Sequence, residues 1–149
     1  MFPLHKWKPV PMRRMTMINT ILVADDNTLD NAILRNFLYS ERYNIISALN
    51  GREALDFLEG RNIDLIFLDV EMPVMDGREF MKLYSKTPYY GIIPVILLTE
   101  PGQDRENEAL SLLADYEVFD YVSKPLNQLN KGVLYNKIKT AIKYRMAMR

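Results

Sequence analysis

Asp69 follows an apolar stretch of the sequence and is the first residue to suggest chemistry. Residues 63–68 show little alternation between apolar and polar side chains, which is typical of a parallel strand covered on both faces. Open α/β sheets bind ligands in the crevice beyond the carboxyl ends of their strands. An aspartate at that point is a candidate nucleophile or metal ligand, although a single acid there is more often an ordinary loop residue.

Three other predicted strands also end in polar residues, and with Asp69 these residues form a chemically consistent set. They are Asp25 and Asp26 after the first strand, Thr99 after the fourth and Lys124 after the fifth. Hard divalent cations such as Mg²⁺ prefer oxygen ligands, which Asp26 and Asp69 could supply. A carboxylate beside Mg²⁺ can attack phosphorus when the metal and an ammonium such as that of Lys124 neutralise the transferring group. Thr99 would then donate a hydrogen bond to a phosphoryl oxygen.

The elements that must position these residues alternate regularly between strand and helix. Short apolar runs predict strands at residues 21–24, 44–48, 63–68, 94–98 and 118–123. Amphipathic stretches predict helices at 29–40, 50–60, 78–85, 102–113 and from 129 to near the C-terminus. Five such units without a repeat or a linker predict one α/β domain, with a single doubly wound, five-stranded parallel sheet and five helices. Helical spacing predicts these core-facing residues: Leu29, Ala32, Ile33 and Phe37 in the first helix, and Val133, Leu134, Ile138, Ala141 and Ile142 in the last.

The two ends of the chain differ in charge from its centre. All 19 acidic residues lie between residues 20 and 125, whereas residues 1–19 and 126–149 carry only basic charges. An acidic centre suits a divalent cation, and a basic last helix is typical of a solvated face, so no direct nucleic-acid binding is expected. Residues 1–19 lack periodicity and are interpreted as a mobile arm or as an artefact of expression or start-site choice. The domain is expected to span residues 20–146, with no output domain present.

Composition excludes several other kinds of site. The 149 residues include 48% hydrophobic and 26% charged residues, which fits one soluble domain. No segment approaches the roughly 18 consecutive apolar residues of a membrane span, and no secretory signal is visible, so a cytoplasmic protein that does not bind membranes is expected. The chain has no cysteine, and its single histidine, His5, lies in the N-terminal segment. Disulfides, thiolate zinc sites and cysteine nucleophiles are therefore excluded.

In their order and spacing, these residues resemble the receiver domain of two-component response regulators. The resemblance covers about residues 20–145 and rests on a set of short motifs: Asp25-Asp26, Asp69 with Met72-Pro73 and Asp76-Gly77 behind it, Thr99, and Lys124-Pro125. It implies a flavodoxin-like sheet with strand order 2-1-3-4-5.

The same resemblance implies the chemistry of the site. Asp69 would accept a phosphoryl group from a sensor histidine kinase or a histidine phosphotransfer protein. Asp25, Asp26, Asp69 and the backbone carbonyl of Glu71 would bind Mg²⁺. Thr99 would contact the phosphoryl group and Lys124 would pair with it.

A conformational switch is also implied. Tyr121 matches the switch aromatic of the family, whose ring turns inward when Thr99 moves toward the phosphoryl group; a half-buried strand tyrosine is the alternative. The surface that changes would comprise helix 4, strand 5 and helix 5, and a homodimer could form through it. The Lys124–Pro125 peptide bond is often cis in this family, although trans is far commoner for X–Pro bonds in general.

Two acidic residues depart from the common family pattern. Glu100 stands where a small residue usually follows the threonine, and Glu71 lies two residues after Asp69. Both are expected to project over the site and to tune the lifetime of the acyl phosphate. The segment between Thr99 and Lys124 is also a few residues longer than is typical, so the phosphorylation chemistry is better supported than a standard switch surface.

The favoured interpretation is a phosphoacceptor signalling domain, which is not an enzyme. Two alternative functions stay open beside it. The first is a receiver-like interaction module that is never phosphorylated, with Glu100 disfavouring the reaction. The second is an enzyme, because Asp69 with Glu71 two residues on resembles the Asp-x-Asp site of haloacid-dehalogenase-type phosphatases. That family places its nucleophile after the first strand, however, and this chain lacks its cap.

Overall fold

The computed structural model describes residues 18–149, in which five parallel strands form a single sheet. The strands are β1 (Thr20–Ala24), β2 (Asn44–Ala48), β3 (Leu65–Asp69), β4 (Val95–Thr99) and β5 (Asp120–Ser123). Their order is β2-β1-β3-β4-β5, and every neighbouring pair is parallel. The predicted flavodoxin-like order 2-1-3-4-5 is therefore confirmed. His5 and most of the predicted arm lie outside the described residues.

Five α-helices connect and follow the strands in residues 18–149, as the sequence predicts. They are α1 (Thr28–Ser40), α2 (Gly51–Leu58), α3 (Gly77–Tyr84), α4 (Gln103–Asp115) and α5 (Lys131–Ala147). A short 3₁₀ helix, Leu126–Gln128, precedes α5. Strand β5 begins two residues later than predicted and α4 ends two residues later. Across the described residues, no helix combines the length and the apolar composition that crossing a membrane requires.

Each face of the sheet has its own hydrophobic core. Helices α2, α3 and α4 cover one face, with Phe80 of α3 fully buried there. Helices α1 and α5 cover the other, with Ile138 of α5 in its core. Strand β3 is buried along its whole length, and its residues alternate between the two cores, as Leu68 and Phe67 show. This is the pattern of a central strand in a doubly wound sheet, and it places Asp69 at the end of a fully covered strand.

Side-chain caps fix where the helices next to the carboxyl edge of the sheet begin. Asn27, Asn50 and Asp76 each accept a hydrogen bond from the backbone N–H three residues further on, at 2.9–3.0 Å. Such a cap contributes about 1 kcal/mol to stability. Asn50 and Glu53 form a variant of the capping box, since the Glu53 carboxylate accepts from the N–H of Leu49 rather than from that of Asn50.

The predicted inner face of α1 is partly wrong. Leu29 is 66% exposed and Ala32 is also exposed, while Ile33 and Phe37 are only half-buried. The residues of α1 that are buried are Asp30, Asn31, Leu34 and Leu38. The first turn of α1 lies against the polar carboxyl edge of the sheet, so polar residues take the inward positions there and apolar contact begins one turn later. In α5, Val133 is likewise exposed, whereas the other four predicted core residues are buried.

Candidate functional site

The site is built around the ammonium group of Lys124, which lies just beyond β5. The side chain is only 2% exposed, and its Nζ lies near four carboxylates: 3.0 Å from Asp25, 3.2 Å from Asp30, 3.4 Å from Asp69 and 3.5 Å from Glu100. One buried cation therefore faces an excess of negative charge. A divalent cation beside these carboxylates would balance that excess.

The strand ends position these side chains. Asp69 is the last residue of β3, Asp25 directly follows β1, and Lys124 directly follows β5. The backbone N–H of Asp25 donates to the carbonyl of Ala48 at 3.1 Å, and that of Lys124 donates to the carbonyl of Thr99 at 2.7 Å. The ladder hydrogen bonds thus continue one residue past the strands, so sheet register fixes where Asp25 and Lys124 lie.

Hydrogen bonds and close packing orient Asp69. Its Oδ1 accepts a hydrogen bond from the N–H of Glu71 at 3.2 Å, and its Oδ2 accepts one from Lys124 Nζ at 3.4 Å. The loop after β3 returns to the strand end, where the N–H of Gly77 donates to the carbonyl of Val70 at 2.9 Å. A Cβ on Gly77 would lie 2.9 Å from the carbonyl oxygen of Asp69, so this close approach requires glycine.

Asp25, Asp26 and Asp69 together offer oxygen ligands for a divalent cation. One carboxylate oxygen from each lies within 4.8 Å of the others; Asp26 is exposed, and the other two are buried. Mg²⁺ commonly takes one or two carboxylates and keeps several waters, so a carboxylate cluster with one exposed member fits it. Glu71, whose backbone carbonyl is the fourth predicted ligand, lines the same cleft.

The environment changes the protonation of both central groups. The pKa of Asp69 is raised to about 8, first by burial and then by its hydrogen bond to Asp25 and the charge of Asp25, while Lys124 opposes the shift. Burial alone would lower the pKa of Lys124, but the charges of Asp69 and Asp25 outweigh it and hold that pKa above its usual range. Without a bound cation, Lys124 is therefore charged at neutral pH and Asp69 carries a proton for much of the time.

The raised pKa of Asp69 should make the metal-free protein less stable as pH rises. The ordinary pKa is 3.8 and the folded one about 8, so between these values the folded carboxyl holds a proton that the unfolded chain has released. Raising the pH from about 6 to about 8.5 should lower Tm by about 3–6 °C in thermal melts without divalent cations. Asp69→Asn should lose most of this dependence; an unchanged slope would assign it to other groups.

Thr99 and Tyr121 lie at the neighbouring strands β4 and β5. Thr99 is buried, and its Oγ1 lies 3.5 Å from Oγ of Ser123. Tyr121 is 43% exposed, and the ammonium of Lys137 lies 5.9 Å from its ring centroid. A small cavity beside this ring is lined by Thr99, Glu106, Ala109, Leu110, Leu113 and Tyr121. The Tyr121 ring therefore points outward, and a cavity lies beside it. A side chain that switches between two positions needs such a space for its second position.

The two acids that depart from the family pattern make different contacts. Oε1 of Glu100 lies 3.5 Å from Lys124 Nζ, so this residue belongs to the site. Glu71 lines the cleft, but its carboxylate forms an ion pair with Arg105 of α4, which also lies 3.9 Å from Glu108. The side chain of Glu71 thus pairs with α4 and is about half exposed.

Asp30 belongs to the site, although it is not among the residues predicted from the sequence. It lies in the first turn of α1, is largely buried, and contacts Lys124. An acid in a first helical turn is ordinarily explained by the helix dipole, which gives no reason to place it in a site. The available signal was its spacing: α1 begins only four residues after the last residue of β1, so a residue one turn after Asp26 can face the same cleft. The Lys124–Pro125 bond is cis, as the family resemblance suggested.

The fold and the site together define a class: a doubly wound α/β domain with an acidic cleft and a buried lysine at the carboxyl edge of its sheet. A family model described as the response regulator receiver domain matches residues 21–137. The chain belongs to this family of two-component signalling domains, as its motifs indicate.

Relatives of known name agree with this assignment. The chain is 37% identical over 114 residues to the response regulator GtcR of Aneurinibacillus migulanus, covering 76% of this chain and 44% of that protein. It is 31% identical over 130 residues to the CAI-1 autoinducer sensor kinase/phosphatase CqsS of Vibrio cholerae, covering 87% of this chain and 18% of that protein. The chain therefore spans less than half the length of either relative.

A solved structure gives the same result. The signal receiver domain of a signal transduction histidine kinase from Syntrophus aciditrophicus matches this fold with a TM-score of 0.72 at 30% sequence identity. The match covers 84% of this chain and 90% of that one. The similarity thus extends over nearly the whole receiver domain in both structures.

Proposed function

We propose that this domain is the phosphoacceptor of a two-component phosphorelay and that Asp69 is the residue phosphorylated. The observation that carries this proposal is the buried carboxylate of Asp69, which lies in a cluster of three aspartates and 3.4 Å from Lys124 Nζ. One carboxylate oxygen would attack the phosphorus of a phosphohistidine. A P–O bond would form while the P–N bond breaks, and the imidazole nitrogen would leave with the electron pair of that bond.

The other residues of the cleft would support this transfer. Asp25, Asp26, Asp69 and the backbone carbonyl of Glu71 would hold Mg²⁺, which when bound supplies positive charge beside the transferring group. Lys124, already next to Asp69, would pair with a phosphoryl oxygen. Thr99 at the end of β4 would donate its hydroxyl hydrogen to a second one.

A switch would follow from the movement of Thr99. As Thr99 and the loop after it move toward the phosphoryl group, the Tyr121 ring would turn into the adjacent cavity. The affected surface would comprise α4, β5 and α5, which already carries the ion pair between Lys137 and Asp120 at 2.9 Å. A homodimer could form through this surface.

The phosphoryl donor would be a sensor histidine kinase or a histidine phosphotransfer protein. The similar solved structure is named the signal receiver domain of a signal transduction histidine kinase, and one relative is named a response regulator, which supports a histidine kinase as the donor. The domain would span residues 20–146 and act in the cytoplasm, contacting proteins and neither nucleic acid nor membranes. Phosphorylation would be one event per chain, so the domain would act as a signalling element and not as an enzyme with turnover.

Intact-mass analysis after incubation with acetyl phosphate and Mg²⁺ tests the assignment of Asp69. The wild type should gain one phosphoryl group per chain, and Asp69→Asn should gain none because its amide is not a nucleophile. Chelating the Mg²⁺ should also prevent the gain. Asp76→Asn is a matched control, since Asp76 lines the same cleft and an asparagine can keep its helix cap. Equal phosphorylation of Asp69→Asn and the wild type would contradict the proposal.

The two alternative functions predict different results in the same experiment. An interaction module that is never phosphorylated would gain no mass even with Mg²⁺ bound. A haloacid-dehalogenase-type phosphatase would release phosphate continuously from a small phosphomonoester. The position of Asp69 at the end of β3 argues against the enzyme, because that family places its nucleophile after the first strand.

A further inference from the structure

Asp30 contacts Lys124, the buried lysine of the site. It is neither the proposed nucleophile nor one of the three aspartates that could bind a cation. Its Oδ2 lies 3.2 Å from Lys124 Nζ, and its side chain is only 13% exposed. The backbone N–H of Asp30 donates to the side chain of Asn27 at 3.0 Å, so the helix cap fixes where this acid lies. The carboxylate therefore approaches Lys124 from α1, whereas Asp25 and Asp69 approach it from the sheet.

The contacts of Lys124 show a competition for its positive charge. Among the described residues its ammonium donates a hydrogen bond to one carboxylate, that of Asp69, but four carboxylates lie within 3.5 Å of it. The ammonium is closer to Asp25 and Asp30, at 3.0 and 3.2 Å, than to Asp69, at 3.4 Å. Asp30 thus shares the cation that the proposed reaction needs at Asp69.

We propose that Asp30 is a positioning residue that draws Lys124 away from Asp69 and so weakens the binding of a phosphoryl group there. This inference rests on the proposed phosphoacceptor function. A phosphoryl group on Asp69 brings new anionic oxygens that are attracted to the same ammonium, and a largely buried carboxylate 3.2 Å from that ammonium competes for its charge strongly. An amide at position 30 has nearly the same shape without the charge, and it would leave Lys124 free to pair with the phosphoryl group.

Beryllium fluoride with Mg²⁺ tests this inference, because BeF₃⁻ copies a phosphoryl group on a carboxylate and needs no phosphodonor. Calorimetric titration should show that Asp30→Asn binds it roughly three- to tenfold more tightly than the wild type. Asp30→Ala should change the affinity in the same direction and provides a second variant should the amide impair folding. A residue with a purely structural role would weaken binding when replaced, so a gain in affinity is specific to competition for Lys124.

Glu108→Gln is the matched control. It removes one negative charge from the same cleft, but Glu108 lies near Arg105 and is not among the carboxylates around Lys124. Glu108→Gln should change the affinity for BeF₃⁻ less than about twofold. The gain in affinity of Asp30→Asn should persist in about 0.5 M salt, where exposed charges are screened. Equal gains in both variants, or a gain that salt removes, would overturn the inference in favour of a general charge effect.

The remaining outcomes separate this inference from the proposed function. If the wild type binds BeF₃⁻ and gains phosphate from acetyl phosphate while the Asp30 variants bind equally or more weakly, only the role of Asp30 is overturned. If the wild type neither binds BeF₃⁻ nor gains phosphate, the proposed phosphoacceptor function fails and the role of Asp30 fails with it.

Discussion

Lys124→Met should destabilise the metal-free protein by about 3–5 kcal/mol at pH 8.5, measured by urea denaturation. Methionine has a similar length but no charge, so Asp25, Asp30 and Asp69 would stay buried without their common cation. Removing one partner from a buried ion pair costs this much because the remaining charge is desolvated and unpaired. The present site is an extreme case, since one ammonium neutralises several carboxylates.

The cause of this loss can be checked by changing pH and by adding a cation. Lys124 opposes the rise in the pKa of Asp69, so without it that pKa should lie still further above the ordinary value, and the lost stability should return as the pH falls. Millimolar Mg²⁺ should also restore part of it by binding the same carboxylates.

Lys137→Met is the control for the Lys124 prediction. Lys137 also pairs with an acid, Asp120, at 2.9 Å, but both side chains are about 30% exposed. Exposed pairs contribute about 0–1 kcal/mol, so this variant should stay close to the wild type at every pH. If Lys137→Met lost as much stability as Lys124→Met, the loss at Lys124 would not result from the burial of its ion pairs.

The fold could be predicted almost completely from the sequence, because strand and helix patterns reflect local chemistry. Residues 65–68 form an uninterrupted apolar run because β3 packs against a core on each face. The prediction is least accurate for α1, where the polar Asp30 and Asn31 face inward and Leu29 faces outward. Periodicity assigns apolar residues to the inner face, and it fails where a helix begins against a polar site.

The site could be predicted only as far as strand ends determine it. Asp25, Asp69 and Lys124 meet because parallel strands share one carboxyl edge, which the sequence pattern already implies. The contacts of Asp30 with Lys124 and of Glu71 with Arg105 join residues far apart in the chain. They depend on how α1 and α4 pack on the sheet; the spacing of Asp30 one turn after Asp26 hints at the first contact, and nothing in the sequence pattern indicates the second.

Gly77→Ala should destabilise the protein by about 1–3 kcal/mol and slow phosphorylation of Asp69 roughly tenfold. The new Cβ would lie 2.8 Å from Cα of Val70 and 2.9 Å from the carbonyl oxygen of Asp69. Both neighbours are backbone atoms, so relief requires a shift of the strand end that carries Asp69. Chemical denaturation and the rate of mass gain with acetyl phosphate measure the two effects.

Gly132→Ala separates this steric effect from the general consequence of replacing a helical glycine. Gly77 and Gly132 both lie in the first turn of a helix, α3 and α5 respectively, but a Cβ on Gly132 meets only the side chain of Asn130, at 3.2 Å. Alanine favours helix over glycine by up to about 1 kcal/mol, so Gly132→Ala should be neutral or stabilising and should leave phosphorylation unchanged. The same propensity acts at Gly77, so a net loss of stability there measures how closely the start of α3 packs against the end of β3. If Gly77→Ala behaves like Gly132→Ala, that packing does not constrain Asp69.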